Sequence, residues 1–305
     1  MNQSRFALLG LFVKGILAGI AYLLGTMLAG MLFTARHITL VIPKQLEANP
    51  HLGSLLFALM CPLLGLAMVP LARHTAGSRL VRGLSLFFLI FISLGINMAI
   101  ETKIFLTIYA HGGALAAAAS VFPPALLLGL VLSFLLAQEK PETAAAEKLR
   151  SFFAAHSPAS WVWRFLLVIL AFPIVYLFFG AIVAPFVVPY YRAGVLDLTL
   201  PSFSVMLPVM ILRSTLFFLA SLPFLILWGH TRRSLIVSLG LAHWFLTGLF
   251  GLAQVFWWPM VMRIGHSLEI GADSFAYAAA LVFLLFPRPK EISVTAPAQA
   301  TPLVS

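Results

Sequence analysis

Long runs of apolar residues, separated by short polar or proline-bearing turns, make up most of the chain. Eight of them, 7–33, 52–72, 83–106, 112–137, 161–187, 203–229, 234–260 and 267–287, reach the length of about 20 residues that a membrane helix needs. No recurring segments of about ten alternating apolar and polar positions are present, which excludes a transmembrane β-barrel. The pattern predicts an all-α polytopic membrane protein of about eight transmembrane helices. Arg5 precedes the first run as in a secretion signal. The run exceeds the roughly 7–15 apolar residues of a signal core, so it is expected to remain as a helix.

Composition sharpens this picture. Of 305 residues, 62% are hydrophobic and 9% charged, against roughly 25% charged in an average soluble protein. The mean hydropathy is +1.05. An ordinary soluble enzyme, a disordered chain and a nucleic-acid-binding domain are excluded. The net charge of +10 would suggest nucleic acid on a soluble surface. Here the basic residues stand at the ends of apolar runs, where they set topology. Twelve Lys and Arg residues fall on the side of the termini and five on the other, with Lys14 and Arg213 inside runs. That asymmetry predicts both termini in the cytoplasm, in a plasma (inner) membrane. Trp161, Trp163 and Trp228 then mark the inner interface, and Tyr190, Tyr191, Trp257 and Trp258 the outer one, as aromatic belts do. The single cysteine, Cys61, permits no internal disulfide.

The organisation reads as two four-helix halves, 1–137 and 161–287, joined by a cytoplasmic segment, 138–160, and followed by a proline-bearing tail, 288–305, expected to be disordered. The halves look alike. Tyr22 and Tyr176 lie in their first helices, Pro62 and Pro223 in their second, and Arg79/Arg82 and Arg232/Arg233 in the following turns. Four helices per half is an even number, so a duplication would give parallel repeats about an axis along the membrane normal.

Ionisable residues inside spans cost about 2.5–3.5 kcal/mol to insert and are functional candidates by default. At about 1.5 Å per residue, Asn97 lies about 22 Å and Glu101 about 28 Å from the inner end of the third helix. Asp273 lies about 21 Å and Glu269 about 27 Å up the eighth, and Arg213 about 15 Å below the outer end of the sixth. Ser93, Asn97 and Glu101 share one helical face, as do His266, Glu269 and Asp273, and His243, Thr247 and Gln254. These stripes are expected to line one cavity in the outer half, with Arg213 paired to Asp273 in preference to Glu101. Pro123-Pro124 interrupts the fourth helix and is a hinge candidate. Gly15-xxx-Gly19 permits close helix packing. His266, Glu269 and Asp273 resemble a divalent-metal face, but without a second nitrogen ligand no metal is expected. No Walker A, GxGxxG, GxSxG, CxxCH or HExxH sequence occurs, and no cofactor is expected.

Three functions fit these residues. A secondary-transporter or permease-like protein would use Glu101, Glu269 and Asp273 for protons or a cation and Arg213 for an anionic group, with membrane lipid and a small molecule or ion as partners. A non-catalytic partner or scaffold subunit would use the buried charges to fix helix packing. A membrane enzyme would work on a lipid-linked substrate at the outer face with His266 and its neighbouring acids. The first is favoured.

Overall fold

The computed structural model describes residues 2–109, 113–136 and 145–287; the 288–305 tail and the Gln138–Glu142 stretch of the connecting segment lie outside them. Among the described residues, eight helices are long and apolar enough to cross a membrane: α1 (Phe6–Ala35), α2 (Pro50–His74), α3 (Arg79–Phe105), α4 (Ala114–Leu135), α5 (Pro158–Arg192), α6 (Phe203–Leu227), α7 (Arg232–Gln254) and α8 (Met260–Leu285). The protein is an all-α polytopic membrane protein. Because the number is even, α1 begins and α8 ends on one face of the bundle, here the terminal face. The opposite side is the far face.

The eighth helix starts at Met260, earlier than hydropathy places it, and so takes in Arg263 and His266. Arg263 is accommodated because its Nε donates to Leu252 O (3.0 Å) at the end of α7. A carbonyl left over by one helix terminus thus satisfies the cation that opens the next.

Packing follows the same order in both halves. α1 lies on α2 and α4, and α4 on α3; α5 lies on α6 and α8, and α8 on α7. Between the halves, α3 meets α6 and α7 meets α2. α3 and α7 touch each other where both are wound as π-helix, over Phe91–Asn97 and Phe245–Leu249. On the terminal face the turns after α2 and α6 form an antiparallel bridge between Thr75 and Trp228. Ala76 N donates to Leu227 O and Gly229 N to His74 O, both at 2.8 Å. The helix after each turn opens on a hydroxyl cap, Ser78 Oγ for α3 and Thr231 Oγ1 for α7, satisfying otherwise orphaned amides.

Glycines decide how closely the helices approach. A Cβ on Gly19 would lie 2.2 Å from Cys61 O, and one on Gly65 would lie 2.1 Å from Gly15 O. α1 and α2 therefore pack backbone to backbone. Between α1 and α4, a Cβ on Gly25 would lie 2.4 Å from Pro124 Cα. α4 is broken at Val121, and Pro123 and Pro124 fall in the first turn of its second segment, Phe122–Leu135. The break is there, but these prolines remove no ladder donor, since amides in a first helical turn have no intrahelical acceptor.

Arg82, 2% exposed, ties three helix ends together on the terminal face. Its guanidinium donates to Ala72 O (3.1 Å), Leu136 O (3.1 Å) and Ser133 O (2.9 Å). Arg82→Ala is expected to cost about 2–3 kcal/mol, the scale of lost charged hydrogen bonds that leave buried acceptors behind. Thermal unfolding in detergent measures it, and an unchanged midpoint would show that water replaces the guanidinium there.

Candidate functional site

α5 and α6 are in contact, but not through paired glycines. α6 contains no glycine and α5 only Gly180, so their backbones lack the small-residue contact that closes α1 on α2. The space left between α5, α6, α8 and the upper parts of α3 and α7 is a cavity of about 440 Å³. Toward the far face it is lined by Phe105, Leu106, Leu198 and Trp258. A bridge joins Leu106 to Leu198 there, with Thr199 N donating to Phe105 O at 2.9 Å. The floor is closed by aromatic side chains. Tyr277 Oη donates to Ser214 O (3.1 Å), Ser214 Oγ reaches Val168 O (3.3 Å), and Phe172 and Phe217 pack beside them.

Glu101, Arg213, His243, His266, Glu269 and Asp273 all stand on the wall of this one cavity. Asn97 is behind the wall and fully buried. Arg213 donates from Nε to Asn97 Oδ1 (2.8 Å) and from Nη2 to Glu101 Oε2 (3.1 Å). Its guanidinium carbon also faces the rings of Phe172, Tyr176 and Phe217 at 5.5, 5.7 and 6.0 Å, close enough for cation–π attraction. The ion pair is largely shielded, the Arg213 and Glu101 side chains being 6% and 25% exposed.

This corrects the pairing expected from depth, because no salt bridge joins Arg213 to Asp273. Depth along the membrane normal matched, but depth does not identify the neighbouring helix. The face of α6 that carries Arg213 turns to the π-helical part of α3 and its continuation, while α8 packs chiefly on α5 and α7. Asp273 is 5% exposed and its Oδ1 has no hydrogen-bond partner.

A hydrogen-bonded row lies nearer the far face. Tyr191 Oη and His266 Nε2 are 3.1 Å apart, and His266 Nδ1 is 2.9 Å from Glu269 Oε2. Glu269 is one turn above Asp273 on α8, and Gly180 makes room for it: a Cβ there would lie 3.2 Å from Glu269 Oε1. His243 is held from α6, with Nε2 2.9 Å from Ser221 Oγ. Thr247 also lines the cavity, its hydroxyl donating back to His243 O (2.8 Å). Among the described residues no group of three His, Cys, Asp or Glu side chains is placed to hold a metal ion.

The chain matches no known protein family, no curated protein and no solved structure. Its function is therefore argued from the cavity. Sequence reasoning overlooked the aromatic part of the site. Tyr277 was legible, since it continues the His266, Glu269, Asp273 stripe by one further turn. Tyr191 carries no such signal, because it belongs to a different helix and reads as an interfacial aromatic. Gln254, expected on the face of His243 and Thr247, instead lines a second, smaller cavity of about 250 Å³ with Tyr22, Phe57 and Pro124, because the π-helical turn over Phe245–Leu249 shifts the register of α7 before it.

Proposed function

We propose that this protein is a secondary-transporter or permease-like protein of the plasma (inner) membrane, with both termini cytoplasmic and its polar cavity in the outer half of the bilayer. The carrying observation is that six ionisable side chains from α3, α6, α7 and α8 converge on one cavity that reaches toward the far face and ends on buried aromatic side chains at its other end. A site exposed on one side and sealed on the other by a few aromatic contacts is what alternating access requires. The row from Tyr191 through His266 to Glu269, continued along α8 to Asp273, gives protons a path between the far-face end of the cavity and the deepest acid.

Two four-helix halves about a pseudo-two-fold axis along the membrane normal fit this role. The matching order of helix contacts, the paired π-helical segments, the bridge between the turns at Thr75 and Trp228, and the capped starts of α3 and α7 all support that duplication. So do two cavities, each walled by helices of one half together with the third helix of the other, and each with one tyrosine of the pair Tyr22 and Tyr176 on its wall.

Vesicles reconstituted with the protein, carrying an internal pH dye and an inward proton gradient, test the reading against panels of organic cations, organic anions and sugars. Solute-dependent proton flux is expected, and Asp273→Asn and Glu269→Gln should abolish it. Flux with none of these classes overturns transport. Topology is tested separately: reporters fused after residue 150 and at the C-terminus should lie in the cytoplasm and one after residue 195 outside. A C-terminal reporter outside reverses the orientation.

A membrane enzyme is the second reading, favoured by the same Tyr191–His266–Glu269 row, in which a hydroxyl faces an imidazole that a carboxylate orients. Turnover of a lipid-linked substrate without solute flux would select it. The cavity itself argues against a non-catalytic partner, which needs only a closed apolar bundle.

A further inference from the structure

The charges on the cavity wall do not balance. Glu101, Glu269 and Asp273 provide three carboxylates, and Arg213 is the only Lys or Arg among the lining residues. Arg213 is already engaged by Glu101 and Asn97, and Glu269 by His266. Asp273 is left over, 5% exposed and with Oδ1 unpartnered, on a wall shared with Phe172, Tyr176, Phe217 and Tyr277. With one guanidinium, already paired to Glu101, for three acids, a buried carboxylate in such a place needs a proton or a further cation.

The rest of the lining is apolar. One face of α5, carrying Leu177, Ala181, Ala184 and Val188, forms the side wall. Leu177 and Ala181 are exposed as well as cavity-lining, so the cavity is open sideways along α5, where the bundle meets the acyl chains. At about 440 Å³ it falls within the range of about 300–1,000 Å³ of small-molecule sites. An apolar slot ending at one free acid is complementary to a molecule with an apolar body and one positive charge.

We propose that the cavity takes an amphipathic organic cation, its charged centre at Asp273 and its apolar body against α5. The aromatic rings near Asp273 add to the attraction, since cations are drawn to ring faces. The inference deepens the transport reading and rests on it for movement of the ligand, but occupancy is measured without transport. An anionic amphiphile would have to separate Arg213 from Glu101 and would meet the two remaining acids.

Two probes of the same shape and opposite charge decide it: tetraphenylphosphonium and tetraphenylborate, bound to the purified full chain in neutral nanodiscs by equilibrium dialysis. Saturable binding of the phosphonium is expected, at least tenfold tighter than that of the borate. Asp273→Asn should weaken phosphonium binding at least tenfold. If that variant does not fold, the wild-type protein still decides: the phosphonium should raise its unfolding temperature and the borate should not. Equal or tighter binding of the borate, no binding of either probe, or an unchanged affinity in Asp273→Asn overturns the proposal. Phosphonium binding without proton flux in vesicles would leave the ligand class standing and remove transport. Proton flux with another solute class and no phosphonium binding would do the reverse.

Discussion

Glu101→Ala should destabilise the protein by about 3 kcal/mol, the lower end of the roughly 3–5 kcal/mol lost when one partner of a buried ion pair is removed. The lower end applies because the Glu101 side chain is 25% exposed, and water reaches part of the gap. Arg213 cannot escape by losing its proton, so its charge would remain beside Asn97 and the rings of Phe172, Tyr176 and Phe217. Replacing both partners, as Glu101→Met with Arg213→Met, should recover most of the loss, because an apolar pair of similar volume carries no desolvation penalty. Asp273→Asn should behave differently: it separates no ion pair, and the folded protein should keep its unfolding temperature. Thermal unfolding of the three variants in one detergent measures this. A loss in Asp273→Asn as large as that in Glu101→Ala would mean that Arg213 depends on Asp273 after all.

Gly65→Val should be at least as damaging. Its first side-chain carbon would lie 2.1 Å from Gly15 O and 2.6 Å from Gly19 N, both backbone atoms that no rotamer change can move aside. Overpacking typically costs about 1–3 kcal/mol, occasionally more; here α2 must move off α1, and a loss at or above the top of that range is expected. Gly30→Ala is the control. Nothing lies within 4 Å of its added carbon, and the change should stabilise helix α1 by up to about 1 kcal/mol through propensity. Unfolding midpoints for both substitutions, with expression level as a second readout, test the contrast. A Gly65→Val protein as stable as wild type would place α1 and α2 farther apart than described.

The correction at Arg213 shows how far a linear pattern reaches. Hydropathy located all eight spans, because each apolar run must be long enough to cross the bilayer whatever it packs against. It misplaced the start of α8 because Arg263 is satisfied by carbonyls from the end of α7, a contact invisible from one helix. The polar stripe of His266, Glu269 and Asp273 was legible as a helical face, and the structure turns that face to the cavity. On α3 the register is less simple. Glu101 reaches the cavity wall, Asn97 stands behind it, and the π-helical turn between Phe91 and Asn97 interrupts the regular periodicity on which stripe arguments rest.

The sequence by itself determined the fold class, the number of spans and their approximate limits, since insertion depends on the length and apolarity of each segment taken alone. It also singled out the ionisable residues, because a charge among apolar neighbours stands out at any position. Which of those charges meet was decided by tertiary structure. Arg213 and Glu101 are more than a hundred residues apart, and their pairing depends on α6 facing α3 while α8 packs on α5 and α7. The cavity was decided there too. Close packing of α1 on α2 leaves no room between them, whereas α5, α6 and α8 leave a cavity with Asp273 on its wall and its Oδ1 without a hydrogen-bond partner. Helix formation is a property of the segment, but azimuth and neighbour are set by the packing of side chains from several helices at once.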